Sequence, residues 1–137
     1  METHAISQPP PTQARRAVST IFFINGLVLA SWFPHIPTVK TQHAMSDGQL
    51  GLVLLSMAIG SVLTLPLAGW LVGRFGSRGM TTLAIFAFCL VLPLPVLSPN
   101  VLLLCLSLGL FGACNSTLDV SMNAQAVAVE GCYSSPK

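Results

Sequence analysis

Charged side chains are scarce in this chain of 137 residues: six are basic and four are acidic, which is 7% of the sequence. An ordinary soluble domain carries about 25%. Ten charged side chains are too few to cover a soluble fold of this length, and 53% of the residues are hydrophobic. The composition therefore excludes an ordinary soluble domain and predicts a protein that crosses a membrane several times.

The sequence also lacks the marks of several functional classes. A net charge of +2, with no basic patch interleaved with aromatic residues, gives no indication of nucleic-acid binding. We find no metalloprotease, phosphate-loop or dinucleotide motif and no nucleophile–base arrangement, so we expect no enzyme, no cofactor and no metal site. The cysteines lack CxxC spacing and are interpreted as small apolar residues. They are Cys89, Cys105, Cys114 and Cys132.

Four apolar segments separated by short connections predict four transmembrane helices. About 20 apolar residues cross a bilayer as a helix, and the segments that fit are residues 17–37, 49–72, 80–97 and 101–129. Residues 1–16 form a polar, proline-rich tail that we expect to be disordered, and residues 131–137 form a second tail. A cleaved signal peptide is the alternative for the first segment, although no clear cleavage site follows it. The expected fold class is all-α.

The basic residues predict the orientation of these spans. Arg15 and Arg16 precede the first span, and Arg74 and Arg78 lie between the second and third, whereas the opposite side carries only Lys40. The positive-inside rule then places both termini in the cytoplasm, with the protein in the inner membrane.

Asp119 is the main functional candidate, because it is the only acidic residue between Val101 and Val129. Asn115 and Asn123 flank it at helical spacing, so the three side chains share one face. A carboxylate in hydrocarbon costs about 2.5–3.5 kcal/mol even on insertion scales, and such a residue usually faces water or a partner. The pattern favours transport or proton handling. The alternatives are a carboxylate retained for packing and asparagines that hydrogen-bond between helices.

Residues 69–78 read GWLVGRFGSR, a glycine turn carrying two arginines. This segment resembles the loop between helices two and three of the major facilitator superfamily, whose pattern is G-x-L-x-D-R-x-G-R-R/K. The resemblance implies a cytoplasmic gating loop made by Gly69, Arg74, Gly76 and Arg78. Gly73 replaces the family's aspartate, so the charge-pair lock made by that aspartate is not expected here.

The fourth span resembles the fucose permease branch of that superfamily, in which a glycine-rich stretch precedes an acidic residue and, four positions later, an asparagine. Asp119 and Asn123 occupy these two places. The resemblance implies that Asp119 couples transport to protons. Helices one and four line the cavity in that family, which makes Asn25 a candidate partner of the solute or of Asp119. It also makes Trp32 a candidate for stacking on a sugar ring, with a membrane-interface position as the alternative.

The resemblance covers about residues 15–130 and implies an N-terminal fragment with four of twelve helices. The implied function is transport of a small polar solute, a sugar or related metabolite, by proton-coupled alternating access. The expected partners are the solute, protons, the lipid bilayer and the missing helices. The alternative is an inactive truncated product or a small non-transporting membrane protein. The latter would pair with a transporter through a stripe of small residues in the second span. These residues are Ser56, Gly60, Thr64 and Ala68.

Overall fold

The computed structural model describes the backbone of residues 11–134 and the side chains of residues 12–131. Within this range the chain is helical apart from short connections, and it contains no strand. The helices are α1 (Pro11–Trp32), α2 (His35–Gln42), α3 (Asp47–Phe75), α4 (Ser77–Val91), α5 (Leu94–Leu97) and α6 (Val101–Ser134).

Four stretches of the described chain are long and apolar enough to cross a membrane, which confirms the predicted all-α fold class with four spans. They are Thr12–Gln42, Asp47–Phe75, Ser77–Leu97 and Val101–Gly131. The first and third stretches are each interrupted near a proline, Pro34 or Pro93, because proline has no backbone N–H to continue the helix.

The first helical stretch is longer than the sequence predicts. Hydropathy marks only the apolar part of a helix, whereas α1 begins at Pro11 and continues through Arg15 and Arg16 before the apolar part starts. Residues 11–16 of the expected tail are therefore helical, and residues 1–10 lie outside the described range.

The ends of α3 are set by local sequence. A capping box starts the helix: the Gln49 backbone N–H donates to Ser46 Oγ at 3.3 Å, and the Ser46 N–H donates to Gln49 Oε1 at 3.0 Å. At the other end, Gly76 has φ +81°, a backbone conformation that favours glycine, and it separates α3 from α4. We call this side of the bundle the Gly76 end, and the side with the connections 43–46 and 98–100 the Ser98 end.

Helices α3 and α6 are in backbone contact through glycine. A Cβ atom added to Gly60 would lie 2.9 Å from the Cα of Gly109, and still closer to the Gly109 carbonyl. A Cβ atom on Gly112 would lie 2.9 Å from Ser61 Oγ and would overlap the carbonyl of Met57. The Ser61 hydroxyl also donates to the Gly112 carbonyl at 3.0 Å. At Gly60 and Gly112 the two backbones are therefore too close for a side chain larger than hydrogen.

The stripe of small residues in the second span is therefore used inside the chain. Gly60 faces α6 at backbone distance, and Ala68 further along α3 is completely buried. Ser56, Gly60 and Thr64 are half-buried, so α6 covers this stripe in part.

Helix α6 is the centre of the bundle and contacts α1, α3, α4 and α5. It runs antiparallel to α1, since Asn25 lies beside Asp119 and Trp32 lies beside Phe111. This arrangement places one polar pair midway along the α1–α6 contact, with an aromatic pair nearer the Ser98 end.

Candidate functional site

The carboxylate of Asp119 is held by two asparagines from different helices. Asn25 Nδ2 on α1 donates to Oδ1 at 3.1 Å, and Asn115 Nδ2 on α6 donates to Oδ2 at 3.1 Å. Each carboxylate oxygen therefore receives one N–H. Asn25 is 7% exposed, whereas Asp119 and Asn115 are half-buried. We call these three residues the Asp119 cluster.

The Asp119 cluster has two unused hydrogen-bond acceptors. Asn25 Oδ1 and Asn115 Oδ1 are buried and have no hydrogen-bond partner among the described residues. Each asparagine uses its amide nitrogen on Asp119, so its amide oxygen is left over. A buried acceptor without a donor costs about 1–3 kcal/mol. The arrangement therefore suits a ligand or solvent molecule that supplies O–H or N–H donors to these oxygens.

Asn123 shares the helix face of Asp119 but does not bind its carboxylate. Its Nδ2 donates to the backbone carbonyl of Asp119 at 2.9 Å, and the side chain is exposed. Helical periodicity predicted that Asn115 and Asn123, each four residues from Asp119, are equally able to bind its carboxylate. The structure separates them, because only Asn115 turns its amide toward the carboxylate.

Trp32 lies in the apolar interior near the Ser98 end. It is 6% exposed, and its ring centroid is 6.1 Å from that of Phe111, which in turn is 4.9 Å from that of Phe88. In this conformation its ring packs against Phe111 and lies about 10 Å along the helix axis from Asn25, seven residues away. Sequence reasoning missed Phe88 and Phe111, since an aromatic residue in a span looks the same whether it faces lipid or protein.

The predicted gating loop lies at the Gly76 end, where α3 meets α4. The Arg74 guanidinium stands 5.5 Å from the centroid of the Trp70 ring, a cation–π contact. Across residues 12–131, neither Arg74 nor Arg78 forms an ion pair. A Cβ atom on Gly69 would meet nothing within 4 Å, so packing in the described chain does not require glycine there. The loop is thus a separate feature from the Asp119 cluster.

A polar connection at the Ser98 end was not predicted. His43 Nδ1 lies 3.0 Å from the Val39 carbonyl, and His43 Nε2 lies 3.0 Å from the Ser98 carbonyl. Lys40 and Asp47 form an ion pair close by. A single histidine in a polar connection carries no pattern that would reveal its partner 55 residues away.

Four apolar spans, two of which hold a half-buried carboxylate bound by two amides, define an integral membrane protein with a polar site among its helices. Residues 18–129 match the family model described as the Major Facilitator Superfamily. The chain belongs to this superfamily, which confirms that part of the sequence resemblance.

The chain is also similar to curated relatives. Over 114 residues the chain is 46% identical to membrane protein MosC of Rhizobium meliloti, covering 83% of this chain and 28% of the relative. It is 39% identical to an uncharacterized MFS-type transporter of Yersinia pestis, and the match covers 93% of this chain and 33% of the relative. It is 29% identical to an uncharacterized transporter of Sinorhizobium fredii, and the match covers 84% of this chain and 30% of the relative. No solved structure matches the chain.

The chain spans about a third of the length of the curated relatives it matches. The described helices therefore account for one part of the architecture found in those proteins. The Asp119 cluster lies wholly within that part.

Proposed function

We propose that this chain is part of a secondary transporter that moves a small polar solute, a sugar or related metabolite, by proton-coupled alternating access. We place it in the fucose permease-like branch and in the inner membrane, with both termini in the cytoplasm. The observation that supports this proposal is the Asp119 cluster, a carboxylate bound by amides from α1 and α6 inside apolar helices. Further helices complete the solute site, since alternating access requires a second half.

The unused acceptors support the binding of a polar solute. The buried Oδ1 atoms of Asn25 and Asn115 lack donors among the described side chains, and a sugar carries many hydroxyl donors. A hydroxyl that reached either oxygen would relieve an unpaired acceptor, which favours a polyhydroxylated solute over an apolar one. Trp32 remains a candidate for stacking on the sugar ring if transport exposes its face.

The asparagines beside Asp119 support proton coupling, because their hydrogen bonds respond to a change in its charge. An ionised carboxylate only accepts hydrogen bonds, so Asn25 presents its NH₂ group. A protonated carboxyl oxygen carries a hydrogen that it can donate, and the facing asparagine accepts this hydrogen if it turns its amide and presents its oxygen. The group left for the solute then changes from acceptor to donor. Uptake of a proton by Asp119 would thus change which hydroxyl geometry the site accepts.

The test is a chimera in which residues 1–137 replace the matching segment of the Yersinia pestis relative. In cells that express the chimera, adding a transported sugar should make a weakly buffered medium more alkaline, as protons enter with the solute. Asp119→Asn keeps the size of the side chain and removes its ionisation. We expect this variant to lose the alkalinisation and the accumulation of solute, while energy-independent exchange of solute continues.

The matched control is Asp47→Asn, because Asp47 is exposed and its ion pair with Lys40 is solvent-accessible. This control should accumulate solute normally. Equal accumulation by the Asp119→Asn and unsubstituted chimeras would remove the coupling role. Vesicles that hold only residues 1–137 should show no saturable uptake, because four helices cannot enclose a site between two halves.

A further inference from the structure

A cleft opens between α1 and α6 on the side of the Asp119 cluster that faces the Gly76 end. Its volume is about 500 Å³, enough for about 17 water molecules at about 30 Å³ each. Arg15 and Glu130, both exposed, line its mouth. Two charged side chains at the mouth favour a cleft filled with water over one filled with lipid.

The cleft ends at Phe22 on α1 and at Ala126 on α6, which are its lining residues nearest the Asp119 cluster. Asn25 follows Phe22 by three residues, so the two side chains are neighbours on one helix face. Asp119 precedes Ala126 by seven residues, about 10 Å along the axis. The aromatic ring of Phe22 therefore stands at the level between the cleft and the Asn25–Asp119 pair.

On the opposite side of the Asp119 cluster, toward the Ser98 end, lies a layer of packed aromatic rings. Trp32, Phe88 and Phe111 are 6%, 3% and 0% exposed and pack ring against ring. Phe22 by contrast is 39% exposed. The carboxylate thus lies between a packed aromatic layer toward the Ser98 end and one partly exposed ring toward the Gly76 end.

We propose that Phe22 is the inner gate of this site: its ring separates the water of the α1–α6 cleft from Asp119. One side-chain rotation then admits water to the carboxylate from the Gly76 end, whereas access from the Ser98 end needs the packed rings to part. The gate rests on the proposed function in that it controls when Asp119 exchanges a proton. Access and coupling are nevertheless measured by different experiments.

The test measures access directly. In the full chain with its four cysteines replaced by serine, Asp119→Cys provides a thiol at the position of the carboxylate. A membrane-impermeant, positively charged methanethiosulfonate reagent is added to either face of sealed vesicles. Gly79→Cys and Gln42→Cys, which are exposed positions near the Gly76 end and the Ser98 end, identify which end faces the reagent.

Adding Phe22→Ala should raise the rate of thiol modification from the Gly76 end about tenfold or more, and leave the rate from the Ser98 end unchanged. Tenfold corresponds to a barrier lowered by about 1.4 kcal/mol. The matched control is Phe23→Ala, since the adjacent ring is 68% exposed and does not line the cleft. Phe22→Trp, which enlarges the ring and keeps it apolar, should slow modification below the rate seen with phenylalanine.

Equal rates for the Phe22→Ala and Phe23→Ala variants would overturn the proposal, as would an increase from both ends at once, which indicates a disordered bundle. A Phe22→Trp variant that reacts as fast as the parent would also overturn it. These results do not depend on transport. The gate proposal can therefore be refuted while Asp119→Asn still abolishes proton coupling. Conversely, the coupling proposal can be refuted while the modification rates still support the gate.

Discussion

Replacing Gly60 by alanine should separate the two helices that form the backbone contact of the bundle. The added Cβ atom would lie 2.9 Å from Gly109 Cα and closer still to the Gly109 carbonyl. These atoms belong to the backbone and cannot rotate away, so α3 must move from α6. Overpacking of this kind costs about 1–3 kcal/mol.

The higher helix propensity of alanine offsets part of this packing cost, so a control variant is needed to subtract its contribution to the free energy of unfolding. Alanine is favoured over glycine in a helix interior by about 0.8–1.0 kcal/mol, which partly offsets the clash. Gly51 lies in the same helix, and a Cβ atom there meets nothing within 4 Å. Gly51→Ala gains propensity without a clash. The difference between the two variants therefore isolates the packing cost of about 1–3 kcal/mol.

The measurement is the free energy of unfolding of the full chain in detergent micelles, from a denaturant titration followed by circular dichroism. We expect Gly51→Ala to be as stable as the parent or more so, and Gly60→Ala to be less stable than Gly51→Ala. Equal stability of the two variants would show that α3 and α6 are not in backbone contact at Gly60. A shift of α6 would also disturb the Asp119 cluster.

Two further predictions concern the polar contacts. Asn25→Ala should lower the free energy of unfolding more than Asn123→Ala does. It removes a hydrogen bond to a charged group worth about 1.5–3 kcal/mol, and loss of the unpaired Oδ1 acceptor offsets part of this. Asn123→Ala at an exposed position should stay within about 0.5 kcal/mol of the parent. An equal effect of both would refute the selective role of Asn25. Lys40→Ala should cost less than about 1 kcal/mol, and 1 M salt should reduce even that, because its ion pair with Asp47 is solvent-accessible; a larger cost that persists in salt would contradict this.

The number of spans and the face of Asp119 were predictable because both depend on local pattern. Four apolar segments give four spans whatever the packing. Positions 115 and 119 share a face in any helix. The turn at Gly76 was also visible, since a glycine between two apolar runs marks a break.

The partner of Asp119 on α1 was harder to predict, because Asn25 lies 94 residues away in the sequence. Periodicity tells which side chains share a face but does not tell which helices meet. The family resemblance placed Asn25 near the cavity. The aromatic layer of Trp32 and Phe111 had no comparable signal, since hydropathy does not separate a lipid-facing ring from a buried one.

The contacts of α6 with α3 and with α1 are made by different groups, so protonation of Asp119 would affect them differently. The contact with α3 is backbone against backbone at Gly60 and Gly109, and it carries no titratable group. The contact with α1 includes the Asn25–Asp119 hydrogen bond, the polarity of which reverses if Oδ1 gains a proton and donates it to Asn25 Oδ1. A change of charge at Asp119 therefore leaves the α3–α6 contact intact and alters the α1–α6 contact, the same contact at which Phe22 closes the cleft.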